Sequence, residues 1–155
     1  MYGVQSRTFR SSDVDCISVI GFGSLGEPLE TTQRRVRLAA RALGRHNLVH
    51  AYGHVSARLD ENEFLVCAPR PLGLIKPGED GTVVPIEGPL PADVLSEVRC
   101  HQSIYATRKD VNGISRVFPR NVLTLSSFRV TPKARIGFGT YFYPQPPLWD
   151  DPMLI

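Results

Sequence analysis

Within residues 33–46, QRRVRLAARALGRH, the apolar positions Val36, Ala39, Ala40 and Leu43 recur three and four apart, with arginines filling the opposite face. That spacing predicts an amphipathic helix capped by Thr31-Thr32 and closing near Gly44. A turn at Gly53 then leads into a short strand over 55–59. Asp60-Glu61-Asn62 reads as a hairpin turn into a second strand over 63–69. A proline- and glycine-rich loop over 69–81 precedes a short strand over 82–86. Pro89 and Pro91 open a predicted second helix over 91–108, on which Val94, Val98, His101 and Tyr105 share one face. A strand over 113–118, a loop at Pro119, a short apolar segment over 122–128 and a last strand over 137–143 complete the pattern. Residues 1–30 show little periodicity and are expected to form an irregular arm before one domain over 31–155. No repeats or low-complexity tracts interrupt it.

Length and composition agree with one ordinary globular domain: 155 residues, 42% hydrophobic and 21% charged. No apolar run reaches the ~20 residues that span a bilayer, and the first residues lack a secretory leader pattern. Three cysteines without CxxC spacing, Cys16, Cys67 and Cys100, argue against a disulfide framework and for a reducing, cytoplasmic setting. The net charge of +3 is concentrated in Arg34, Arg35, Arg37, Arg41 and Arg45. No aromatic residue interleaves with them, so a solvated helix face is expected there rather than a nucleic-acid platform.

Two stretches offer chemistry. Residues 16–26, CISVIGFGSLG, place Gly21, Gly23 and Gly26 in G-x-G-x-x-G after an apolar run. A dinucleotide-binding turn also needs a helix starting inside the motif and an acid about 20 residues on. Pro28 and Thr31-Thr32 put the helix start after the motif, and GRHNLVHAYGH holds no such acid. The motif is therefore expected to be a glycine loop. The second stretch sets Glu97, His101 and Tyr105 at i, i+4 and i+8 on the predicted helix. A carboxylate on the core side of a helix has its pKa raised and becomes a candidate acid/base. The alternative is a simple pairing of Glu97 with Arg99 or His101.

In order, GHVSAR, FLVCAPRPLGL, LSEVRCHQSIYATRKDVNGISRVFP and PLWDDPMLI resemble the class II aldolase and adducin N-terminal domain family. The family's G-[NH]-x-S-x-R turn is matched by Gly53-His54-Val55-Ser56-Ala57-Arg58. Its S-E, H-x-x-x-Y and R-x-D-V-N are matched by Ser96-Glu97, His101, Tyr105 and Arg108 through Asn112. The likeness covers about residues 31–155. It is closest to the branch that decarboxylates hydroxylated aromatic or pyridine carboxylic acids, since His54 stands where sugar-phosphate aldolases carry Asn.

The resemblance implies a three-layer α/β/α domain with a mixed, mostly antiparallel central sheet and a divalent metal, such as zinc or manganese. It gives Glu97 proton transfer, and assigns Gly53, His54 and Ser56 to the substrate's anionic part. The family's metal-binding H-x-H-P falls on Arg116-Val117-Phe118-Pro119, where neither side chain can ligate a cation. The chain also stops at Ile155, before the position of the family's third metal histidine, and His46 and His50 do not rebuild a pair. No metal or other cofactor is expected, and the domain is expected to be incomplete.

Arg116 instead suggests an anion site with His54, Arg70 and Glu97, and His101 is counted with the substrate-binding residues. The alternative is a salt-bridging residue in a decayed site. The function expected is a carbon–carbon lyase, metal-less and either active or inactive, with Glu97 and Arg116 at the reacting centre. A non-catalytic binding or scaffold domain is the alternative, and a dinucleotide-dependent oxidoreductase a distant third. The expected partners are a small anionic molecule and further copies of the chain, with no nucleic acid or membrane.

Overall fold

The computed structural model describes residues 26–133, 135, 137–142 and 145–148. Of the glycine motif only Gly26 falls among them; Gly21 and Gly23 lie outside the described residues, as do Cys16 and most of the predicted arm.

Helix α1 spans Leu29–Arg45. It begins two residues before the predicted cap: Pro28 occupies the capping position with no side-chain cap bond. Its carbonyl accepts from the amides of Thr31 and Thr32 at 2.9 and 3.2 Å. Thr32 is buried, so it lies under the helix rather than at its end. Proline's fixed φ pre-sets the chain for the first turn, which removes the need for a hydroxyl cap. The helix starts after Gly26, as the sequence led us to expect, and so presents no amides inside the glycine motif.

Four strands follow: β1 (His54–Arg58), β2 (Glu63–Val66), β3 (Thr82–Pro85) and β4 (Gly113–Arg116). They form one sheet in the order β3-β2-β1-β4, every pair antiparallel. The turn between β1 and β2 is fixed by Asp60, whose carboxylate accepts from the amides of Asn62 and Glu63 at 2.7 and 2.9 Å. Between β2 and β3 the loop makes a short 3-10 turn at Leu72–Leu74.

Period-two alternation sends the buried residues of the two central strands to opposite faces. Val55, Ala57, Leu65 and Cys67 pack with Val36 and Ala40 of α1 and with Leu72 and Ile75 of the loop. Phe64, Val66 and Val84 pack on the other side with Val98, Tyr105 and Val111. Tyr105 belongs to helix α2, Arg99–Thr107. The result is the α/β/α layering expected, with the central sheet between two apolar layers.

The arginine face of α1 is structural. Arg37 reaches Asp80 at 3.0 Å and the Glu79 carbonyl at 3.1 Å, Arg41 donates to the Ile75 carbonyl at 2.8 Å, and Arg35 pairs with Glu27 at 2.9 Å. Three of the five arginines therefore hold neighbouring segments rather than standing free in solvent.

Three predicted elements change. The second helix begins at Arg99, preceded by a 3-10 turn over Ser96–Val98, because Leu95 is extended (φ −65°, ψ 141°) and ends any continuation from Pro91. The apolar segment after Pro119 becomes helix α3, Arg120–Ser127, with no buried residue. The expected last strand is a 3-10 segment, Gly137–Phe142, without a partner in the sheet among the described residues.

Candidate active site

All five residues of β1 are buried. Three of them, His54, Ser56 and Arg58, are polar and alternate onto the α2 side, where β1 meets α2 and β4. Placing three polar side chains inside a fold is costly unless each finds a partner.

Arg58 is engaged through Nε and Nη2. Its Nε donates to the Val111 carbonyl at 2.9 Å and its Nη2 to those of Tyr105 and Arg108 at 2.8 and 2.9 Å. Its guanidinium also lies 4.7 Å from the centre of the Tyr105 ring. It ties the end of α2 to the sheet. Ser56 sits between two α2 residues: its Oγ is 2.7 Å from His101 Nδ1 and 2.9 Å from the Tyr105 hydroxyl. Burial raises the Tyr105 phenol above its ordinary value, so it stays protonated. Burial, and then the charges of His54 and Arg116, hold His101 down at about 3, so its ring is neutral at physiological pH.

His54 meets His101 edge to face at 5.9 Å between ring centres. It stands directly opposite Arg116 in the β1–β4 ladder. Burial and then the Arg116 charge lower its pKa, while Glu97 pulls the other way. Gly53, just before β1, is required by this pairing. A Cβ there would run into the Val49 side chain and come within 2.9 Å of the Arg116 carbonyl. Arg116 itself lies 4.6 Å above the Phe118 ring.

Glu97 lies in the 3-10 turn rather than on the α-helix, so it does not share a helical stripe with His101 and Tyr105. The expectation of a buried, raised carboxyl is corrected accordingly. Glu97 is half-buried, and its pKa is lowered, first by a hydrogen bond from its own backbone amide and then by Ser96, His54 and Arg116. It is an ionised carboxylate within electrostatic reach of His54 and Arg116. Arg70 is exposed on the 69–81 loop and engaged with Glu79 Oε1 at 2.6 Å. Its charge is neutralised there.

Three buried polar atoms have no hydrogen-bond partner around this site: His54 Nδ1, His101 Nε2 and Arg116 Nη1. His54 also borders a shallow, open pocket. Val66, Pro69, Val94 and Val98 are among its other walls.

The residues do not suit a divalent metal. Arg116 and Phe118, at the positions where the family resembled carries its H-x-H, are a permanent cation stacked on a hydrocarbon ring. Among the described residues no group of three His, Cys, Asp or Glu side chains is placed to hold a metal ion. His46 and His50 both follow the end of α1 at Arg45, so they do not share a helix face.

Sequence reasoning missed the serine bridge between His101 and Tyr105 and the bracing by Arg58. The signal was available in the alternation of His54, Ser56 and Arg58 along a strand otherwise made of Val and Ala.

The family model for the class II aldolase and adducin N-terminal domain matches residues 34–145. Among solved structures, the chain is similar to L-fuculose-1-phosphate aldolase from Thermus thermophilus. The TM-score is 0.60 and the identity 23%, over 71% of this chain and 56% of that one. It is also similar to L-fuculose 1-phosphate aldolase from Glaciozyma antarctica, with a TM-score of 0.53 and 20% identity, over 68% of this chain and 49% of that one. This chain spans about half the length of these solved relatives. No curated protein matches the sequence. Among the described residues no helix is long and apolar enough to cross a membrane.

Proposed function

This chain belongs to the class II aldolase and adducin N-terminal domain family, and from that premise we propose that it performs carbon–carbon lyase chemistry on a small carboxylated or hydroxylated substrate without a metal. The observation that carries the reading is the electrostatic coupling of one carboxylate, Glu97, with His54, both at positions matching the family's motifs, and with Arg116, which stands where the family carries a metal ligand. In the direction of aldol cleavage, Glu97, ionised at neutral pH, takes the proton of the substrate hydroxyl. The carbon–carbon bond breaks, and its electron pair passes into an enolate whose oxygen lies against the Arg116 guanidinium. The proton on Glu97 then returns to the enolate carbon, which restores the carboxylate. His54 and Ser56 fix the wall against which the substrate lies.

A second reading, a binding domain without turnover, is favoured by one observation: Arg116 and Phe118 replace the family's ligating pair. Self-association belongs to either reading. Helix α3 has no buried residue and exposes Val122 and Leu123, which gives a second copy an apolar face to cover.

The test is a panel of small hydroxy acids, assayed for aldehyde and carbon dioxide release with the native chain and Glu97→Gln. Lyase chemistry predicts turnover that falls about 100-fold or more in the variant. Turnover unchanged by the substitution removes Glu97 from the reaction, and binding without turnover favours the second reading.

A further inference from the structure

The hydrogen-bond chain through Ser56 decides which nitrogen of His101 carries the proton. Three groups share two contacts: the Tyr105 hydroxyl, Ser56 Oγ and His101 Nδ1. If His101 Nδ1 were the donor, Ser56 Oγ would accept from it, and one hydroxyl proton, that of Ser56 or of Tyr105, would be left without an acceptor within this chain. The reverse order satisfies both hydroxyls and Nδ1. Tyr105 donates to Ser56, Ser56 donates to Nδ1, and the His101 proton sits on Nε2. Nε2 is then a buried donor without a partner, on a side chain 1% exposed. Arg116 Nη1 is a second such donor, and guanidinium nitrogens only donate. A third unpartnered nitrogen, His54 Nδ1, belongs to the ring that lies opposite Arg116 on the ladder and edge-on to His101. Unpaired buried donors cost more than they give, and a group that accepts from both relieves that cost.

We propose that His101 Nε2–H and Arg116 Nη1–H are the two arms of an anion site that takes the carboxylate of a small organic acid, and that the Tyr105–Ser56 chain is the device that aims the first arm. The proposal deepens the reading above and rests on it for the carboxylated substrate, but not for turnover. Ser56 and Tyr105 are positioning residues here, acting through His101.

The experiment uses the full chain, with benzoate and acetate as probes and inorganic phosphate as the comparison. Long-range proton–nitrogen spectra of the imidazoles should show His101 protonated at Nε2, with that resonance moving as benzoate is added. Calorimetric titration should show benzoate binding that weakens about tenfold or more in Arg116→Gln, the scale of one charged hydrogen bond. Tyr105→Phe, which keeps the packing, should leave a mixture of tautomers and weaken binding less. If Arg116→Gln does not fold, Arg116→Lys should still lose affinity. Protonation of His101 at Nδ1, benzoate binding indifferent to Arg116, or phosphate bound more tightly than both acids would overturn the proposal. Lyase turnover without benzoate binding also overturns it. Benzoate binding without turnover on any acid upholds the site and sinks the lyase reading instead.

Discussion

The two faces of β1 lie one residue apart and are built on opposite terms. Toward α1, Val55 and Ala57 join a layer of Val, Ala, Leu and Ile side chains that needs nothing but shape. Toward α2, Ser56 and Arg58 are equally buried but are held by directed bonds to His101, Tyr105 and three backbone carbonyls, while His54 meets His101 only edge to face. The first face is the generic solution for a sheet covered by a helix. The second carries polar cost that the fold only partly offsets, since three nitrogens remain unpaired, on His54, His101 and Arg116. A protein spends stability in this way where a ligand is to complete the pairing.

If that contrast is right, a polar substitution on the α2 side should damage the fold more than an apolar one on the α1 side. Arg58→Met removes the donor that ties the Tyr105, Arg108 and Val111 carbonyls together and should lower unfolding free energy by about 3–5 kcal/mol in urea titrations. Leu65→Ala, on the dry face, should lose about 3 kcal/mol through its cavity and leave anion binding intact. An Arg58→Met protein as stable as the native chain would show that the bracing of α2 is not needed.

Acid should expose the same asymmetry. His101 titrates near 6.5 when unfolded and at about 3 when folded, so between these values the unfolded chain binds more protons. The stability contributed by neutral His101 is complete above about pH 6.5 and drains away as pH falls toward 3, at no more than about 1.4 kcal/mol per unit. His54, also depressed, adds in the same direction. His101→Gln should flatten the slope, and an unchanged slope would mean that the buried ring is not its source. Last and smallest, Ser56→Ala should cost about 1–2 kcal/mol, because it unpairs Tyr105 and His101 without removing packing. Its distinguishing effect should be on the His101 tautomer rather than on melting.

The same contrast explains what could be read beforehand. Helix α1, the hairpin at Asp60 and the short strands were legible because periodicity and turn residues encode them locally. Helix α2 was drawn too long, since Pro91 resembles a helix start while the extended Leu95 is a tertiary outcome. The last strand failed for a like reason: aromatic, β-prone residues over 137–143 have no neighbour in the sheet to pair with. At the site, motif order picked out Gly53, His54, Ser56, Glu97, His101 and Arg116. Burial did not follow from spacing, so the raised carboxyl expected of Glu97 became a lowered one in a half-buried 3-10 turn. Arg70 lay close in sequence to the motifs yet is engaged with Glu79, a pairing that only the folded loop reveals.

The central claim is that Arg116 and its histidine neighbours serve an anion in place of a cation. The direct measurement is the metal content of the chain after exposure to manganese and zinc and removal of excess. The account predicts well below one ion per chain, with benzoate binding unaffected by the treatment. One tightly held ion per chain, displaced by benzoate or lost in His54→Gln, would contradict it and restore metal-assisted chemistry to this site.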